Sequence, residues 1–462
     1  MIKRNLLLSL NSHLKKREIS LIIGPRQAGK TTLMMLFKAQ LEKDGHKTLY
    51  LSLDSEADRE YFISQEKLIK KIELELGKQA GIVFIDEIQR KEDAGVYLKG
   101  IYDLNLPYKF VVSGSGSLEL KEKIHESLSG RKRFFELNTL SFEEFVNFKT
   151  VYRYENNLGD FFSLEKEKRD SLLTEYLNYG GYPRVVLEET AVEKRKNVDE
   201  IVRSYLEKDI AYLLKVDKVD AFSSLMKILS AQVSQMVNHA RLSSLANVSL
   251  PTLKNYLWYA QNTFVITLLK PYFKNIRKEI TKSPVIYFND LGFRNYLCGL
   301  FGSLTQPRDM GLVFQNFIFN LLKEKLSFSG ADLHFWRTKD KAEVDFIIES
   351  GQNIFPLEVK YKSISLPAVE SSLRNFVADY KPVMAFVVNL DFEGEVTVGE
   401  TRVLFLPFFK LFDDGQCLSY FLLDKDLQEE IKKSEESVKK GKAKKYTSAD
   451  SLIKDLGLEE DA

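Results

Sequence analysis

The chain has 462 residues, more than one ordinary hydrophobic core accommodates, and this length predicts about two to four domains. Hydrophobic residues make up 44% and charged residues 29%, a balance that excludes a largely disordered chain and is typical of soluble globular proteins. The formal net charge is only +2, so any binding of nucleic acid must come from a local basic patch.

The cysteines and the apolar runs indicate the cellular compartment in which the protein is expected. Cys298 and Cys417 lie far apart without a CxxC or Cys/His spacing, so neither a disulfide framework nor a zinc site is predicted, and a reducing cytosol fits best. Residues 1–10 imitate a signal peptide, but the short apolar run and the basic residues 15–17 favour an amphipathic helix. No apolar run approaches the roughly 18 residues that cross a bilayer, so we expect a cytoplasmic protein without a membrane partner.

Residues 1–140 predict a parallel sheet. From residue 19 onward, short β-rich runs alternate with helical stretches, the order typical of strands joined by crossover helices. The predicted strands span residues 20–23, 48–53, 82–85, 110–113 and 133–137.

Two mainly helical segments are predicted next. Residues 141–215 read as a helical lid with helices at 142–148, 164–179 and 192–214, and the run Gly180-Gly181-Tyr182-Pro183 must break the chain between the last two. Residues 216–300 contain three helical stretches followed by two β-rich runs, which predicts a winged-helix-like segment. A small helical domain that does not bind DNA fits the same pattern.

The remaining elements predict a separate α/β domain at residues 301–423. A helix at 312–326 precedes strands at 333–337, 344–348 and 355–361, a helix at 368–380 and a strand at 383–389. Residues 424–462 are rich in Lys and Glu, and we expect a charged, solvated tail there.

A phosphate-binding loop follows the first predicted strand. The run from Gly24 to Thr31 fits the pattern GxxxxGK[ST] and opens a helix, as that motif requires. Its glycines let backbone N–H groups face phosphate oxygens, Lys30 supplies a cation for the β and γ phosphates, and Thr31 supplies a Mg²⁺ ligand. The residues predicted to hold ATP are Gly24, Pro25, Arg26, Gln27, Ala28, Gly29, Lys30, Thr31, Thr32 and Ser113.

Acidic residues end a later strand. Asp86 and Glu87 follow the apolar run 82–85, at the end of a parallel strand where ligands bind. We expect Asp86 to orient Mg²⁺ and its waters, and Glu87 to act as the base that positions the attacking water. Ser113 ends the next strand and is predicted to sense the γ-phosphate; a flexible Gly/Ser loop at 113–117 is the alternative.

With these motifs, the sequence resembles the predicted AAA+-superfamily ATPases of bacteria and archaea that carry a C-terminal domain of unknown function. The matching runs are GPRQ at 24–27, FIDEIQ at 84–89, SGS at 113–115, SLSGR at 127–131, LSFEEF at 140–145, GGYP at 180–183, EVD at 343–345 and EVK at 358–360. The resemblance covers residues 1 to about 410. It implies an ATPase domain with a lid, a winged-helix-like part and a restriction-endonuclease-like part.

The resemblance also implies an arginine that stabilises the negative charge of the γ-phosphate, either in cis or from a neighbouring subunit of an oligomer. Arg131 is the first candidate, because it leads into the fifth strand within the SLSGR run. Arg184, directly after GGYP, is the second. A structural arginine remains the alternative for each.

Asp345, Glu358 and Lys360 form the pattern of PD-(D/E)xK nucleases on consecutive predicted strands. Alternation predicts that the three polar side chains converge, while residues 344, 346, 359 and 361 point to the other side. Asp345 and Glu358 would then hold a second Mg²⁺ beside Lys360. Against activity, Gln315 stands where relatives generally carry Glu, and the alternative is a vestigial core that only binds a protein partner.

DNA contact is predicted through the helix at 250–260 and its flanks, with a solvated basic face as the alternative. The candidate residues are Arg241, Lys254, Asn255, Tyr256, Tyr259, Lys270, Lys274, Arg277 and Lys278.

The sequence thus predicts an α/β fold: a P-loop parallel sheet with a helical lid, then a winged-helix-like segment and a PD-(D/E)xK-like α/β domain. We expect a Mg²⁺-dependent ATPase whose nucleotide state controls a C-terminal DNA-binding or DNA-processing module. Two alternatives remain open. One is an ATP-regulated, Mg²⁺-dependent DNA nuclease, and the other is a slow-turnover nucleotide-binding interaction or defence-signalling scaffold without a DNA substrate.

Overall fold

The computed structural model of the chain describes residues 2–114, 128–210, 219–273, 283–327 and 329–412. None of the helices within these ranges is long and apolar enough to cross a membrane. Several sequence expectations lie outside the described residues: the Gly/Ser run beyond residue 114, Cys417 and the charged tail at 424–462.

The first domain is built on a parallel sheet of five strands in the order β2-β3-β4-β1-β5. The strands are β1 (Ile19–Ile23), β2 (Thr48–Ser52), β3 (Gly81–Asp86), β4 (Tyr108–Ser113) and β5 (Lys132–Glu136). Every residue of β1 and β4 is buried, as expected for central strands covered on both faces. The predicted strands are confirmed to within two residues at each end.

Helices cover both faces of this sheet. They are α1 (Leu6–Ser12), α2 (Lys30–Lys43), α3 (Glu56–Arg59), α4 (Gln65–Leu76) and α5 (Ala94–Asp103). Apolar residues of α1 and α2 form the core on one face, and those of α4 and α5 form the core on the other. Because all five strands run parallel, the P-loop after β1, Asp86 at the end of β3 and Ser113 at the end of β4 meet at one edge.

The lid begins with a well-capped helix. The Ser141 hydroxyl accepts a hydrogen bond from the backbone N–H of Glu144, and the Glu144 carboxylate accepts one from the backbone N–H of Ser141. This capping box starts α6. The lid helices are α6 (Phe142–Lys149), α7 (Leu158–Leu164), α8 (Lys166–Tyr179), α9 (Pro183–Val186) and α10 (Ala191–Ser204). The α-helical part of the last predicted lid helix ends at Ser204, earlier than expected. It is followed directly by the π-helical turn Tyr205–Ile210.

In the described part of the third segment, three helices precede a two-stranded antiparallel sheet, which is the predicted order. Its elements are α11 (Val219–Ala231), α12 (His239–Leu245), α13 (Leu250–Asn262), β6 (Ile266–Leu269) and β7 (Val285–Phe288). The short helix α14 (Leu291–Leu297) follows β7.

The C-terminal sheet has six strands in the order β12-β13-β11-β10-β9-β8. The helices beside it are α15 (Pro307–Leu326) and α16 (Ser371–Tyr380), and the strands are β8 (Asp332–Arg337), β9 (Glu343–Ser350), β10 (Asn353–Val359), β11 (Met384–Asn389), β12 (Gly394–Val398) and β13 (Thr401–Pro407). The α-β-β-β-α-β order is as predicted, whereas sequence analysis missed β12 and β13. Strand β10 ends at Val359, so Lys360 and Tyr361 follow it.

Strand β9 is irregular at Asp345. The pairing of β8 with β9 shifts register there, so that Asp345 and Phe346 lie opposite one β8 residue. Val344 packs into the core under α16, while Phe346 packs into the core under α15. The expectation that Val344 and Phe346 share one face was wrong, because strict alternation holds only where no residue is inserted.

A single hydrophobic core joins the lid to the C-terminal sheet. It contains Phe142 and Tyr176 from the lid, Phe317 from α15 and Phe346 from the sheet. The rings of Phe142 and Phe317 meet edge to face, with centroids 5.4 Å apart. The lid and the C-terminal domain therefore pack as one body around α15.

Candidate nucleotide site

The loop after β1 has the backbone of a phosphate-binding loop. Gly24 and Gly29 have φ angles of 155° and 96°, in the region that favours glycine. A Cβ on Gly24 would lie 2.0 Å from the Leu137 carbonyl oxygen, so no other residue fits. Gln27 also adopts a positive φ, 58°. Pro25 and Ala28 are buried, whereas Arg26 and Gln27 are half-buried.

The loop's lysine and threonine are held by short hydrogen bonds. The Lys30 ammonium is buried and donates to the Gly24 and Pro25 carbonyl oxygens, each at 2.9 Å. Thr31 Oγ1 donates to Asp86 Oδ2 at 2.7 Å, which joins the loop to the end of β3. Thr32 is exposed in the first turn of α2. The P-loop and the acidic motif are thus in direct contact.

Asp86 receives four hydrogen bonds, two on each carboxylate oxygen. Oδ2 accepts from Thr31 and from the Tyr50 hydroxyl, both at 2.7 Å. Oδ1 accepts from the Ser113 hydroxyl and from the Glu87 backbone N–H, the latter at 3.1 Å. Such a set fixes both the position and the plane of the carboxylate. Sequence analysis missed Tyr50, because only the pairing of β2 with β3 brings it to Asp86.

Glu87 follows Asp86 in a left-handed conformation, with φ 57° and ψ 41°. Its backbone N–H also lies 3.3 Å from Ser113 Oγ, and its carboxylate accepts a hydrogen bond from the Gln89 amide. Burial raises the pKa of Glu87 above its ordinary value, while the nearby Lys30 acts to lower it. A carboxylate held away from water near the P-loop cation can accept a proton from a reacting water.

Ser113 binds the acidic motif rather than facing open space. The side chain is fully buried, and its hydroxyl lies between Asp86 and the Glu87 N–H. Strand β4 lies between β3 and β1, which places Ser113 between the two motifs as expected. A direct contact with the γ-phosphate stays a prediction.

The site fits magnesium as it is bound in nucleotide enzymes. Mg²⁺ in such sites takes one or two carboxylate or hydroxyl oxygens, several waters and phosphate oxygens of the nucleotide. Thr31 and Asp86 offer that donor set. Among the described residues there is no group of three or more His, Cys, Asp or Glu that could hold a metal ion without a nucleotide.

Arg131 lies at the opposite edge of the sheet from the P-loop. Its carbonyl oxygen accepts from the Ile19 N–H at the start of β1, and its Nε donates to Asp103 Oδ1 at 2.8 Å. The five residues of β1 separate that edge from the P-loop, a span of about 16 Å at roughly 3.3 Å per residue. The prediction that Arg131 meets the γ-phosphate is therefore wrong for action in cis.

Arg184 lies beside the P-loop instead. Its Nη1 donates to the Gln27 side-chain oxygen at 3.2 Å, and its Nη2 lies 3.0 Å from Glu200 Oε2. Pro183 approaches the same loop, with its ring 3.9 Å from where a Cβ on Gly29 would stand. The structure thus ranks the second arginine candidate above the first.

A buried arginine outside the motif supports the P-loop from behind. Arg4 donates to the Ala28 carbonyl oxygen at 2.9 Å and to the Asn138 carbonyl oxygen at 2.7 Å, and it pairs with Glu144 at 3.0 Å. Glu144 is also the capping residue of α6. Sequence analysis missed Arg4, since its partners lie up to 140 residues away.

The GGYP turn beside the P-loop is bound by the third segment. Asp290 Oδ2 accepts from the Gly181 N–H at 2.9 Å, and Oδ1 accepts from the Phe293 N–H at 2.8 Å, where it caps α14. A Cβ on Gly180 would lie 2.5 Å from the Asp290 carboxylate. Glycine is therefore required at this contact.

The same connection continues into the C-terminal domain. Just before Asp290, the backbone N–H and carbonyl of Phe288 both bond to the Asn316 side chain at 2.8 Å. The neighbouring Gln315 donates to Asp345 Oδ1 at 3.0 Å. Polar contacts joined by short stretches of chain thus run from the P-loop to the PD-(D/E)xK-like cluster.

In that cluster, the Asp345 carboxylate accepts hydrogen bonds from other parts of the chain. Its Oδ1 accepts from Gln315, and its Oδ2 accepts from the Val359 N–H at 2.7 Å. Burial, with a smaller contribution from the Glu358 carboxylate, raises the pKa of Asp345 to about 7 against the lowering effect of the Val359 N–H bond. Each Asp345 oxygen thus accepts one hydrogen bond from the chain, so neither oxygen is without a protein partner.

Glu358 and Lys360 form an ion pair next to Asp345. Lys360 Nζ lies 3.4 Å from Glu358 Oε2 and 2.8 Å from Glu370, the N-cap residue of α16. Glu358 Oε2 has only that ion-pair contact and no hydrogen bond. The three residues are neighbours, but the donor set does not fit a metal held by two free carboxylates.

The predicted DNA surface is exposed in part. Arg241, Lys254 and Asn255 are exposed, whereas Tyr256 is buried in the core of the segment. Trp258, which sequence analysis did not single out, is 39% exposed on α13. Tyr259 is half-buried and Lys270 is exposed, while Lys274, Arg277 and Lys278 lie outside the described residues.

Together, the parallel sheet, the P-loop and the acidic pair at one edge define a P-loop ATPase domain. Residues 16–146 match the family model described as an AAA domain. Residues 170–304 match a domain of unknown function (DUF8612), and residues 310–409 match another (DUF4143). The match at residues 310–409 does not confirm the restriction-endonuclease-like assignment.

Similar whole chains occur in bacteria and archaea. The chain is 27% identical over 380 residues to an uncharacterized protein of Mycobacterium tuberculosis, covering 82% of this chain and 77% of that one, and a protein of Mycobacterium bovis gives the same values. It is 24% identical over 410 residues to an uncharacterized protein of Methanocaldococcus jannaschii, covering 85% of this chain and 88% of the relative.

Two of the similar solved structures are of proteins bound to DNA. The Aeropyrum pernix ORC1 protein in complex with DNA aligns with 65% of this chain and 93% of its own at 13% identity, with a TM-score of 0.29. The replication initiator DnaA bound to AMPPCP and single-stranded DNA aligns with 56% of this chain and 90% of its own at 16% identity, also with a TM-score of 0.29. These scores do not describe a shared whole-chain architecture.

Proposed function

We propose that this chain binds and hydrolyses ATP with Mg²⁺, and that its nucleotide state controls a C-terminal DNA-binding or DNA-processing module. The observation that carries the proposal is the hydrogen-bonded set of Thr31, Asp86 and Glu87 beside the P-loop, which holds Lys30, at one edge of a parallel sheet. Such an edge is where nucleotides bind in parallel α/β sheets.

Each residue has a separate task. The P-loop N–H groups and Lys30 hold the phosphates, and Glu87 orients and deprotonates the attacking water. Mg²⁺, when bound, would be held by Thr31 and, through water, by Asp86, and it would neutralise phosphate charge. Ser113 keeps Asp86 and Glu87 in place. Arg184 supplies positive charge toward the γ-phosphate from the lid.

The contacts of the lid support control of the C-terminal module. Pro183 and Arg184 touch the P-loop, the adjoining Gly181 is bound by Asp290, and the segment ending at Phe288 is bound by α15. A shift of the lid on nucleotide exchange would move α15, because both share one core.

DNA binding is supported by the exposed face of α12 and α13. Arg241, Lys254 and Asn255 can reach phosphates, and the exposed Trp258 offers an apolar surface beside them. The order of three helices and an antiparallel pair of strands is compatible with a winged helix.

The two alternatives are weaker. A nuclease of this pattern needs Asp345 and Glu358 as free metal ligands. In the structure Asp345 accepts hydrogen bonds from Gln315 and Val359, and Glu358 is paired with Lys360. A slow-turnover scaffold without a DNA substrate needs no well-placed base, whereas Glu87 is held near the P-loop cation and burial raises its pKa.

The substitution Glu87→Gln tests the hydrolytic function. Glutamine keeps the shape of the side chain but cannot take a proton, so we expect turnover to fall by about 100-fold or more with ATP binding retained. Phosphate release and calorimetric ATP affinity measure the two effects. Glu92→Gln, an exposed glutamate nearby, is the matched control. Turnover of Glu87→Gln at the wild-type rate would refute the assignment.

A further inference from the structure

Tyr50 is a residue outside both nucleotide motifs that touches their central acid. It lies in β2, the edge strand, opposite Phe84 of β3. Its hydroxyl donates to Asp86 Oδ2 at 2.7 Å, and its side chain is half-buried. The ring packs against the core beside α1 and α2, so the hydroxyl is carried to Asp86 by a well-supported side chain.

The hydrogen bonds at Asp86 show what the Tyr50 hydroxyl adds. Ser113 and the Glu87 N–H hold Oδ1, while Oδ2 is held by Thr31 and Tyr50. Thr31 is the residue expected to shift slightly when it meets a cation, because it is itself a ligand. Without Tyr50, Oδ2 would depend on that one mobile donor.

We infer that Tyr50 is a positioning residue of the Mg²⁺–nucleotide site. Its hydroxyl fixes Asp86 Oδ2, so that Thr31 donates its proton to Asp86 while the Thr31 oxygen lone pairs remain free for the cation. This inference rests on the proposed function, since it assigns Tyr50 to the same Mg²⁺ site. Tyr50 touches neither substrate nor cation and acts through Asp86.

The test is the Mg²⁺ requirement of nucleotide binding in Tyr50→Phe. Phenylalanine retains the ring and its packing, and Asp86 Oδ2 keeps the Thr31 bond, so no buried acceptor is left without a donor. The affinity for AMPPCP, an ATP analogue, is measured by calorimetry in EDTA and at increasing Mg²⁺. We expect the Mg²⁺ concentration for half-maximal tightening to rise about tenfold, the lower end of losses caused by partners of metal ligands. The affinity in EDTA should stay within about twofold of wild type.

Tyr97→Phe is the matched control, because it removes a hydroxyl of the same domain whose hydrogen bond, among the residues that the structure describes, goes to the Ser64 carbonyl oxygen at 3.3 Å. It should keep the wild-type Mg²⁺ requirement. An unchanged requirement in Tyr50→Phe, or equal shifts in both variants, would overturn the positioning role. Wild-type protein that binds no AMPPCP with or without Mg²⁺ would instead refute the proposed function itself.

Discussion

At the scale of single residues, position relative to the sheet edge decides which arginine can act. In the sequence, Arg131 and Arg184 each follow a glycine-containing run, and Arg131 is the first candidate. In the fold, Arg131 pairs with Asp103 at the far edge, and Arg184 bonds to Gln27 of the P-loop. Charge stabilisation needs direct approach to the phosphate, so only Arg184 qualifies within one chain.

We therefore predict that Arg184→Ala lowers ATP turnover by about 10³-fold, the lower range for arginines that face a transferring phosphoryl group. ADP affinity should change little, because ADP lacks the γ-phosphate. Arg131→Ala, which removes a partly exposed ion pair, is the control and should stay within about twofold. Single-turnover hydrolysis and ADP titration measure both quantities. A collapse of turnover in Arg131→Ala alone would point to an arginine acting from a neighbouring subunit.

At the scale of elements, the two faces of α13 have different roles. In α13, Leu253, Tyr256 and Leu257 are buried and hold the helix to its segment, while Lys254 and Asn255 face outward. The helical period of 3.6 residues produces this division, and it removes Tyr256 from the predicted DNA surface. The exposed face is what remains available for phosphate contacts.

The double substitution Arg241→Ala, Lys254→Ala is expected to weaken duplex DNA binding and to reduce the slope of log affinity against log salt by about two, one for each lost phosphate contact. Fluorescence anisotropy at several salt concentrations gives the slope. Lys70→Ala, Lys196→Ala removes two exposed, ion-paired lysines elsewhere and should leave the slope unchanged. Identical slopes in wild type and the first variant would remove this face from the DNA proposal.

At the scale of the whole molecule, the lid is the connection between the nucleotide and the C-terminal sheet. It touches the P-loop through Pro183 and Arg184, and it shares a core with α15 through Phe142 and Phe317. Asp290 links the GGYP turn of the lid to α14, because its carboxylate accepts from the Gly181 N–H and also caps α14. A close-packed core moves between discrete arrangements, so a movement of the lid would be passed on to the elements that share its core.

We predict that wild-type protein binds DNA with affinities that differ about tenfold between AMPPCP and ADP, a usual size for coupling between sites. Asp290→Asn places an amide donor or a single oxygen where the carboxylate accepts from two N–H groups, so this difference should largely disappear. Asp160→Asn, at an exposed position, is the control. DNA affinities are measured by anisotropy at saturating nucleotide. Persistence of the wild-type difference in Asp290→Asn would exclude Asp290 from the connection.

The sequence by itself determined the local chemistry of the site and most of the element order. Gly24 to Thr31 and the pair Asp86 and Glu87 are contiguous runs whose function depends on the backbone and side chains of neighbours in the chain. Strands of the first sheet were found to within two residues, because buried strands are continuous apolar runs bounded by polar ones.

Only the tertiary structure decided which distant groups complete that site. Tyr50 meets Asp86, Arg184 meets Gln27 and Asp290 meets Gly181 through sheet order and helix packing across 36 to 157 residues of chain. No periodicity records such contacts. The register shift at Asp345 likewise overrides strand alternation, since one inserted residue changes the faces of its neighbours. Long-range geometry, rather than residue type, therefore assigns these roles.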